Sequence, residues 1–261
     1  MKWYCALNAA SVSVDDMYAR CVEVAVLSAL QNTSLHPHFL FDGPPCALTE
    51  RLQRMGTTVI HHTSSLASAI VAAKPDDPGW QQIARGAYLR IDIPLIETDS
   101  EYILYTDCDV LFLRDPDVAT VRPRFFAVAP EFAPGDFANM NSGVMVMNVS
   151  GMRGVAEEFE TFIRAGMAEF PAFDQGALQQ FFRGRFEPLA DTMNWKPYWG
   201  INPAAEVIHF HGPKPPHALR LLNNELEGLP QVYIDLFSNS PAAYREVTDI
   251  WQAYQRRTSR M

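Results

Sequence analysis

Two carboxylates one residue apart, Asp107 and Asp109, close an apolar run in the stretch EYILYTDCDVLFLRDP, from Glu101 to Pro116. A buried ionised carboxylate is costly unless it finds water, a partner or a metal, although a turn at a strand end or a capping role would also account for such residues. Far downstream, EVIHFHGPKPPH sets His209, His211, Gly212 and Lys214 after a second apolar run. Carboxylate and imidazole together suit a divalent ion of intermediate hardness such as Mn²⁺, whereas carboxylates alone lean towards Mg²⁺ or Ca²⁺. Asp107, Asp109 and one histidine are therefore candidates to share a metal, with Mn²⁺ first and Mg²⁺ second. Lys214 offers a point charge suited to phosphate, and Gly212 permits a tight backbone path.

The elements that must position these residues follow from periodicity. Tyr102 to Tyr105 reads as a strand buried on both faces, and Trp3 to Asn8 as a first strand. Asp15 and Asp16 can cap a helix whose apolar positions run through Cys21, Val22, Val24 to Leu27 and Leu30. HFLFDG and TTVIHH are further strands separated by the helical CALTERLQRM, and RFFAVAP and GVMVMN are later ones. A single long amphipathic helix is expected through GMRGVAEEFETFIRAGMAEF and a shorter one through FDQGALQQFF. Strands alternating with helices imply βαβ crossovers, an α/β fold and a largely parallel sheet, in which ligands sit at the carboxyl ends of strands. That rule puts Asp107 and Asp109 at the ligand edge.

Composition bounds the function. With 261 residues, 48% hydrophobic and 20% charged, the chain can form one large α/β domain with a small appendage. Cys5, Cys21, Cys46 and Cys108 have unrelated spacings, so no disulfide framework or zinc pattern follows. The N-terminus lacks the apolar core of a signal peptide and no run approaches a membrane span, which makes a cytoplasmic location the expectation. A formal charge of -9 argues against nucleic acid as a partner, and an anionic ligand would need a local cation.

Several ordered motifs resemble the GT-A glycosyltransferases, most closely glycosyltransferase family 8, the group of glycogenin and the bacterial lipopolysaccharide glycosyltransferases. GAYLRIDIPLI resembles the segment before the family's DxD strand, which implies that Arg90 contacts the sugar nucleotide. ILYTDCDVLFLRD resembles the DxD block, with Asp107 and Asp109 on the metal and the diphosphate sugar. NMNSGVMVMN implies that Asn141 and Ser142 face the donor sugar, and FDQGALQQFF implies Asp174 and Gln175 beside the reacting centre. HFHGPKP resembles the closing block, with His209 as third metal ligand, Gly212 at its turn and Lys214 as diphosphate clamp. Asn194 is carried with these as substrate-binding, and Asn8, Ala9 and Asp16 are the counterparts for the uridine. That block is one residue shorter between Gly212 and Lys214 than the family's pattern, and Pro216 stands where tryptophan is common. The resemblance implies a GT-A (Rossmann-like), mixed but mostly parallel sheet flanked by helices. It places the catalytic domain at residues 1–216 and a C-terminal helical segment at 217–261.

The implied activity is metal-dependent transfer of a hexose from a UDP-sugar, with anomeric retention, to a saccharide or glycolipid acceptor. Plainer readings stand beside it. Arg90 could pair with Asp92, Asn141 could cap a turn, Asp174 could be a helix N-cap, and Trp195, Tyr198 and Trp199 could be core aromatics rather than a sugar-stacking surface. Rival functions are a non-catalytic nucleotide- or carbohydrate-binding relative and a haloacid-dehalogenase-like phosphotransferase using Asp107. The second fits poorly, because that motif opens its domain whereas about a hundred residues precede Asp107 here. Trp251, Tyr254, Arg256, Arg257 and Arg260 make the last helix a candidate for peripheral contact with the inner membrane surface, the alternative being an ordinary docking helix.

Overall fold

The computed structural model describes residues 1–14 and 16–259, without the side chains of residues 13, 14 and 16. The expected cap at Asp15 and the basic residue Arg260 therefore lie outside the described residues, as does the side chain of Asp16. The strands are β1 (Lys2–Asn8), β2 (His36–Asp42), β3 (Thr58–His61), β4 (Tyr102–Thr106), β5 (Val110–Phe112), β6 (Phe126–Pro130), β7 (Met140–Asn148), β8 (Glu187–Pro188) and β9 (Val207–His209). Seven of them form one sheet in the order β3-β2-β1-β4-β7-β6-β8, while β5 and β9 make a separate two-stranded ribbon. β1 runs parallel to β2 and β4, β2 to β3, and β6 to β8, whereas β7 is antiparallel to both β4 and β6. The sheet is thus mixed and mostly parallel.

β1 shows why its sequence has no polar alternation. Trp3, Cys5 and Leu7 join one apolar core with Val22, Val24 and Ala25 of the Asp16–Asn32 helix, while Tyr4 and Ala6 join a second core with Tyr88, Ile93 and Phe159. Successive side chains point to opposite faces, and helices cover both, so Trp3 to Leu7 are all apolar. The cysteines are free thiols, and Cys5, Cys21 and Cys108 are buried in this packing.

Two expectations are corrected. The long helix over residues 151–170 is broken: one short helix spans Val149–Arg153 and a second spans Ala156–Gly166, with Val155 at φ -121° and ψ 10° between them. Gly151 and Gly154 weaken the helix there, and the Asn148 side chain starts the first helix by accepting from the Gly151 N–H at 2.9 Å. The second correction concerns Trp251, which is 1% exposed and belongs with Val247 to the apolar core that also contains Trp3, so it is not available as an interfacial aromatic. Tyr254 accepts a hydrogen bond from Asn32 Nδ2 at 2.8 Å, while Arg256 and Arg257 are exposed. The Pro241–Thr258 helix packs against the Asp16–Asn32 helix. Among the described residues no helix is long and apolar enough to cross a membrane.

Because Trp251 fills the core, Trp251→Ala should cost about 3–5 kcal/mol in urea-induced unfolding. An unchanged midpoint would show that the last helix lies outside the cooperative unit.

Candidate active site

The site forms where the sheet changes direction. β4 ends at Thr106 and antiparallel β7 begins at Met140, so the carboxyl end of one meets the amino end of the other, and the Asp107 N–H donates to Gly143 O at 2.8 Å. The β6–β7 register jumps from Val128 opposite Met145 to Ala129 opposite Asn141, leaving Ser142 and Gly143 without β6 partners. This bulge aims their backbone groups at other side chains. Gly143 also answers a question of space, since a Cβ there would lie 2.2 Å from His209 Cε1. Only glycine lets the imidazole sit where it does.

His209 reaches the aspartates through the β5–β9 ribbon, in which it is paired with Val110. Its Nε2 lies 3.8 Å from Asp107 Oδ2 and 3.6 Å from Asp109 Oδ1, and one ligand atom from each of the three residues lies within 4.8 Å of the others. The tautomer follows from a chain of hydrogen bonds anchored on the backbone. The Gly143 N–H donates to Asn141 Oδ1 at 3.2 Å, Asn194 Nδ2 donates to the same oxygen at 2.9 Å, and Asn194 Oδ1 is left to face His209 Nδ1 at 3.0 Å. Nδ1 therefore carries the proton and the Nε2 lone pair faces the acids. Burial holds His209 well below its ordinary pKa, against the pull of Asp107, so the ring is neutral. A neutral imidazole with two carboxylates fits a divalent cation.

Two cations hold the aspartates. Arg90 Nη2 lies 2.9 Å from Asp107 Oδ1, its Nη1 donates to Ser142 O at 2.6 Å, and its guanidinium lies 4.5 Å from the Tyr105 ring centre. It does not pair with Asp92, which is taken by His62 Nε2 at 2.9 Å and Ser65 Oγ at 2.6 Å. Lys214 Nζ is paired with Asp109 Oδ2, and this carboxylate keeps the ammonium above its usual pKa although burial opposes it. Asp107 is 31% exposed and Asp109 4%, so Asp107 is the carboxylate that faces the solvent.

Asp174 is the first residue of the Asp174–Phe181 helix, after Ala172 at φ 50° and Phe173 at φ 54°. Side chains other than glycine rarely adopt this region, at about 1–3 kcal/mol each. The strained turn carries Asp174 inward, with Oδ2 2.9 Å from Arg90 Nε. Burial pushes its carboxyl up to about 7, with Arg90 opposing and Asp107 adding to the rise. Gln175 Oε1 accepts from the Ser142 N–H at 3.0 Å and from Asn141 Nδ2 at 3.3 Å, and its Nε2 donates to Glu131 Oε2 at 3.1 Å.

An open cleft of about 280 Å³ lies over this edge, with Ser11, Tyr18, Arg90, Asp107, Asp109 and Lys214 among its lining residues. Arg90, Asp107, Asp109, Asn141, Ser142, Asp174, Gln175, Asn194, His209 and Lys214 are thus brought into one network. Asn194 is fully buried, its amide spent on His209 and Asn141. Gly212, at φ 83°, turns the chain after β9 and does not line the cleft. Asn8 accepts from Ser11, and with Ala9 it lines a neighbouring cavity of about 260 Å³ that also contains Asp42 and Arg85.

Sequence reasoning did not single out Gly143, Glu131 or Lys196. Glu131 bridges Gln175 and His211 Nε2, the latter at 3.3 Å, and Tyr198 Oη donates to its backbone carbonyl at 2.7 Å. Among the described residues no carboxylate lies in hydrogen-bond reach of the buried Lys196, and burial pushes its ammonium well below its ordinary pKa, with Asp191 and Glu131 opposing. The signal for Gly143 was present in the Asn-Ser-Gly triplet itself; Glu131 and Lys196 carry none outside their three-dimensional setting.

The fold and its edge site define the GT-A class of architecture. No protein-family model matches the chain. A stretch of 133 residues is 29% identical to glycogenin of Neurospora crassa, covering 46% of this chain and 18% of that protein, so the chain spans about a fifth of its curated relative. Among solved structures, the glycosyltransferase GlyE of Streptococcus pneumoniae TIGR4 superposes with a TM-score of 0.62 at 16% identity, over 97% of this chain and 63% of its own. The galactosyltransferase LgtC, solved with donor and acceptor sugar analogues, gives 0.62 at 18% identity over 90% of this chain and 100% of its own. Mouse xyloside xylosyltransferase 1 gives 0.58 at 14% identity, over 81% and 98%. The motif resemblance to family 8 and these likenesses agree on the GT-A fold.

A carboxyl raised from 3.8 to about 7 keeps its proton longer in the folded than in the unfolded chain, so its burial is free of charge at acid pH and becomes costly as pH rises through that window. In chelator-treated protein, Asp174→Asn should therefore gain stability relative to wild type between pH 4 and pH 7, measured by urea unfolding at several pH values. Parallel stability curves for the two proteins would overturn the assignment.

Proposed function

We propose that the protein is a metal-dependent glycosyltransferase that moves a hexose from a UDP-linked donor to a saccharide or glycolipid acceptor. The observation that carries this reading is the convergence of Asp107, Asp109 and His209, with ligand atoms within 4.8 Å of one another, beside Lys214 in an open cleft. The cleft lies at the strand edge where α/β folds take ligands. Support also comes from what the neighbours are: glycogenin by sequence, GlyE and LgtC by fold.

Departure of a nucleoside diphosphate builds negative charge on its phosphate oxygens. A divalent cation on Asp107, Asp109 and His209, Mn²⁺ by the donor set, would supply Lewis acidity to those oxygens. Lys214 would exchange part of its pairing with Asp109 for the diphosphate, adding a charge-assisted hydrogen bond. Arg90 and Tyr105 orient Asp107, and Asn194 orients His209. Gln175, fixed by Ser142 and Glu131, and Asp174, fixed beside Arg90, form the wall at which the sugar would sit.

Calorimetry of UDP with Mn²⁺ tests the donor site. Asp109→Ala should abolish the metal dependence, and Lys214→Ala should weaken UDP binding by about 1–3 kcal/mol, the worth of a charge-assisted hydrogen bond. UDP binding of equal strength in the presence of chelator would remove the metal from the site. The stereochemical outcome is a separate expectation. NMR of the product should show the anomer of the donor, and inversion would make Asp174 or Asp191 a candidate base and remove the likeness to family 8.

A further inference from the structure

Trp195 and Lys196 are an extended link between two 3-10 turns, Asp191–Asn194 and Pro197–Trp199, and the polar side chains that this segment turns inward are Asn194, Lys196 and Tyr198, all buried. The stretch is tied to β9 by Trp195 N–H to Val207 O at 2.9 Å and His209 N–H to Trp195 O at 2.8 Å. Each inward residue grips a different part of the site. Asn194 faces His209, Lys196 Nζ donates to Pro130 O at 2.6 Å, and Tyr198 Oη donates to Glu131 O at 2.7 Å. Two consecutive carbonyls at the end of β6 are therefore held from one side, while the Glu131 N–H is held from the other by Asn139 O at 2.9 Å. Between these anchors the Glu131 carboxylate meets Gln175 Nε2 at 3.1 Å and His211 Nε2 at 3.3 Å.

Lys196 is an expensive way to fill this space. It is 0% exposed, and among the described residues its ammonium meets the Pro130 carbonyl and, at 4.2 Å, the Trp199 ring. A methionine of similar length would occupy the same volume without desolvating a cation, and apolar replacement of a buried ionic group is often neutral or stabilising. Bulk alone does not explain a lysine here. What methionine could not do is donate to Pro130 O.

We propose that Lys196 is a positioning residue for Gln175, acting through the Pro130 carbonyl and the Glu131 carboxylate. What the positioning serves rests on the transferase reading above, but the link from Lys196 to Glu131 does not. Fixing Glu131 fixes the Gln175 amide, and with it the Ser142 backbone to which Arg90 is also bonded.

Lys196→Met in the full chain tests this, with thermal unfolding, hydrogen exchange at the Glu131 amide, UDP calorimetry with Mn²⁺ and transfer kinetics. The melting temperature should be unchanged or higher and UDP affinity within about twofold of wild type, while exchange at Glu131 accelerates at least about tenfold and kcat falls about tenfold. In a Glu131→Gln background the same change should lower kcat no further. A lower melting temperature with unchanged exchange at Glu131 would reduce Lys196 to a structural residue, and an equal loss of kcat in both backgrounds would break the route through Glu131. If the wild-type chain transfers no sugar, the transferase reading fails, and the exchange and melting measurements still decide the link between Lys196 and Glu131.

Discussion

Asp107 and Asp109 remain close together because each is paired with a cation from a different part of the chain, Arg90 2.9 Å from Asp107 and Lys214 on Asp109. Unpaired, the two carboxylates would repel each other and the nearby Asp174, and the cluster would lose the close spacing that a shared cation needs. Arg90 comes from the turn before β4 and Lys214 from the loop after β9, so the pairings exist only when the main sheet and the ribbon are both in place. In a chain of formal charge -9 this is also where an anionic ligand would meet local positive charge.

Around this core the polar groups act as one unit. The hydrogen bonds that set the His209 tautomer start at a backbone N–H freed by the β7 bulge, and the bonds that set Gln175 start at the neighbouring one. Buried networks of this sort specify one geometry when every member is satisfied and are costly when one partner is missing. That is consistent with a rigid edge mounted on strands.

The strands and the ligand edge were legible in the sequence because both depend on local patterning: apolar runs ended by turn residues, with paired acids just past β4. The expected joining of Arg90, Asp107, Asp109, Asn141, Ser142, Asp174, Gln175, His209 and Lys214 into one place came from ordered motifs rather than from periodicity. The rest depended on contacts that periodicity does not record. Lys196 and Glu131 look like surface residues until Pro130, Tyr198 and Gln175 are seen around them. The positive φ angles at Ala172 and Phe173 have no glycine to announce them, and Trp251 was open to both an interfacial and a docking reading because the core it enters is built from residues far away in the chain, Val22 and Val24 among them.

The β5–β9 ribbon carries a further consequence. It is short, stands apart from the main sheet, and supplies His209 by pairing it with Val110. Side chains alternate along a strand, so a slip of one residue would present Ile208 or Phe210 to the aspartates and drive the imidazole into the apolar core that these two now fill. The ribbon works as a checked key: a misaligned chain exposes apolar surface at the same moment as it takes the imidazole away from the two carboxylates, so correct packing and the Asp107–Asp109–His209 cluster arise together.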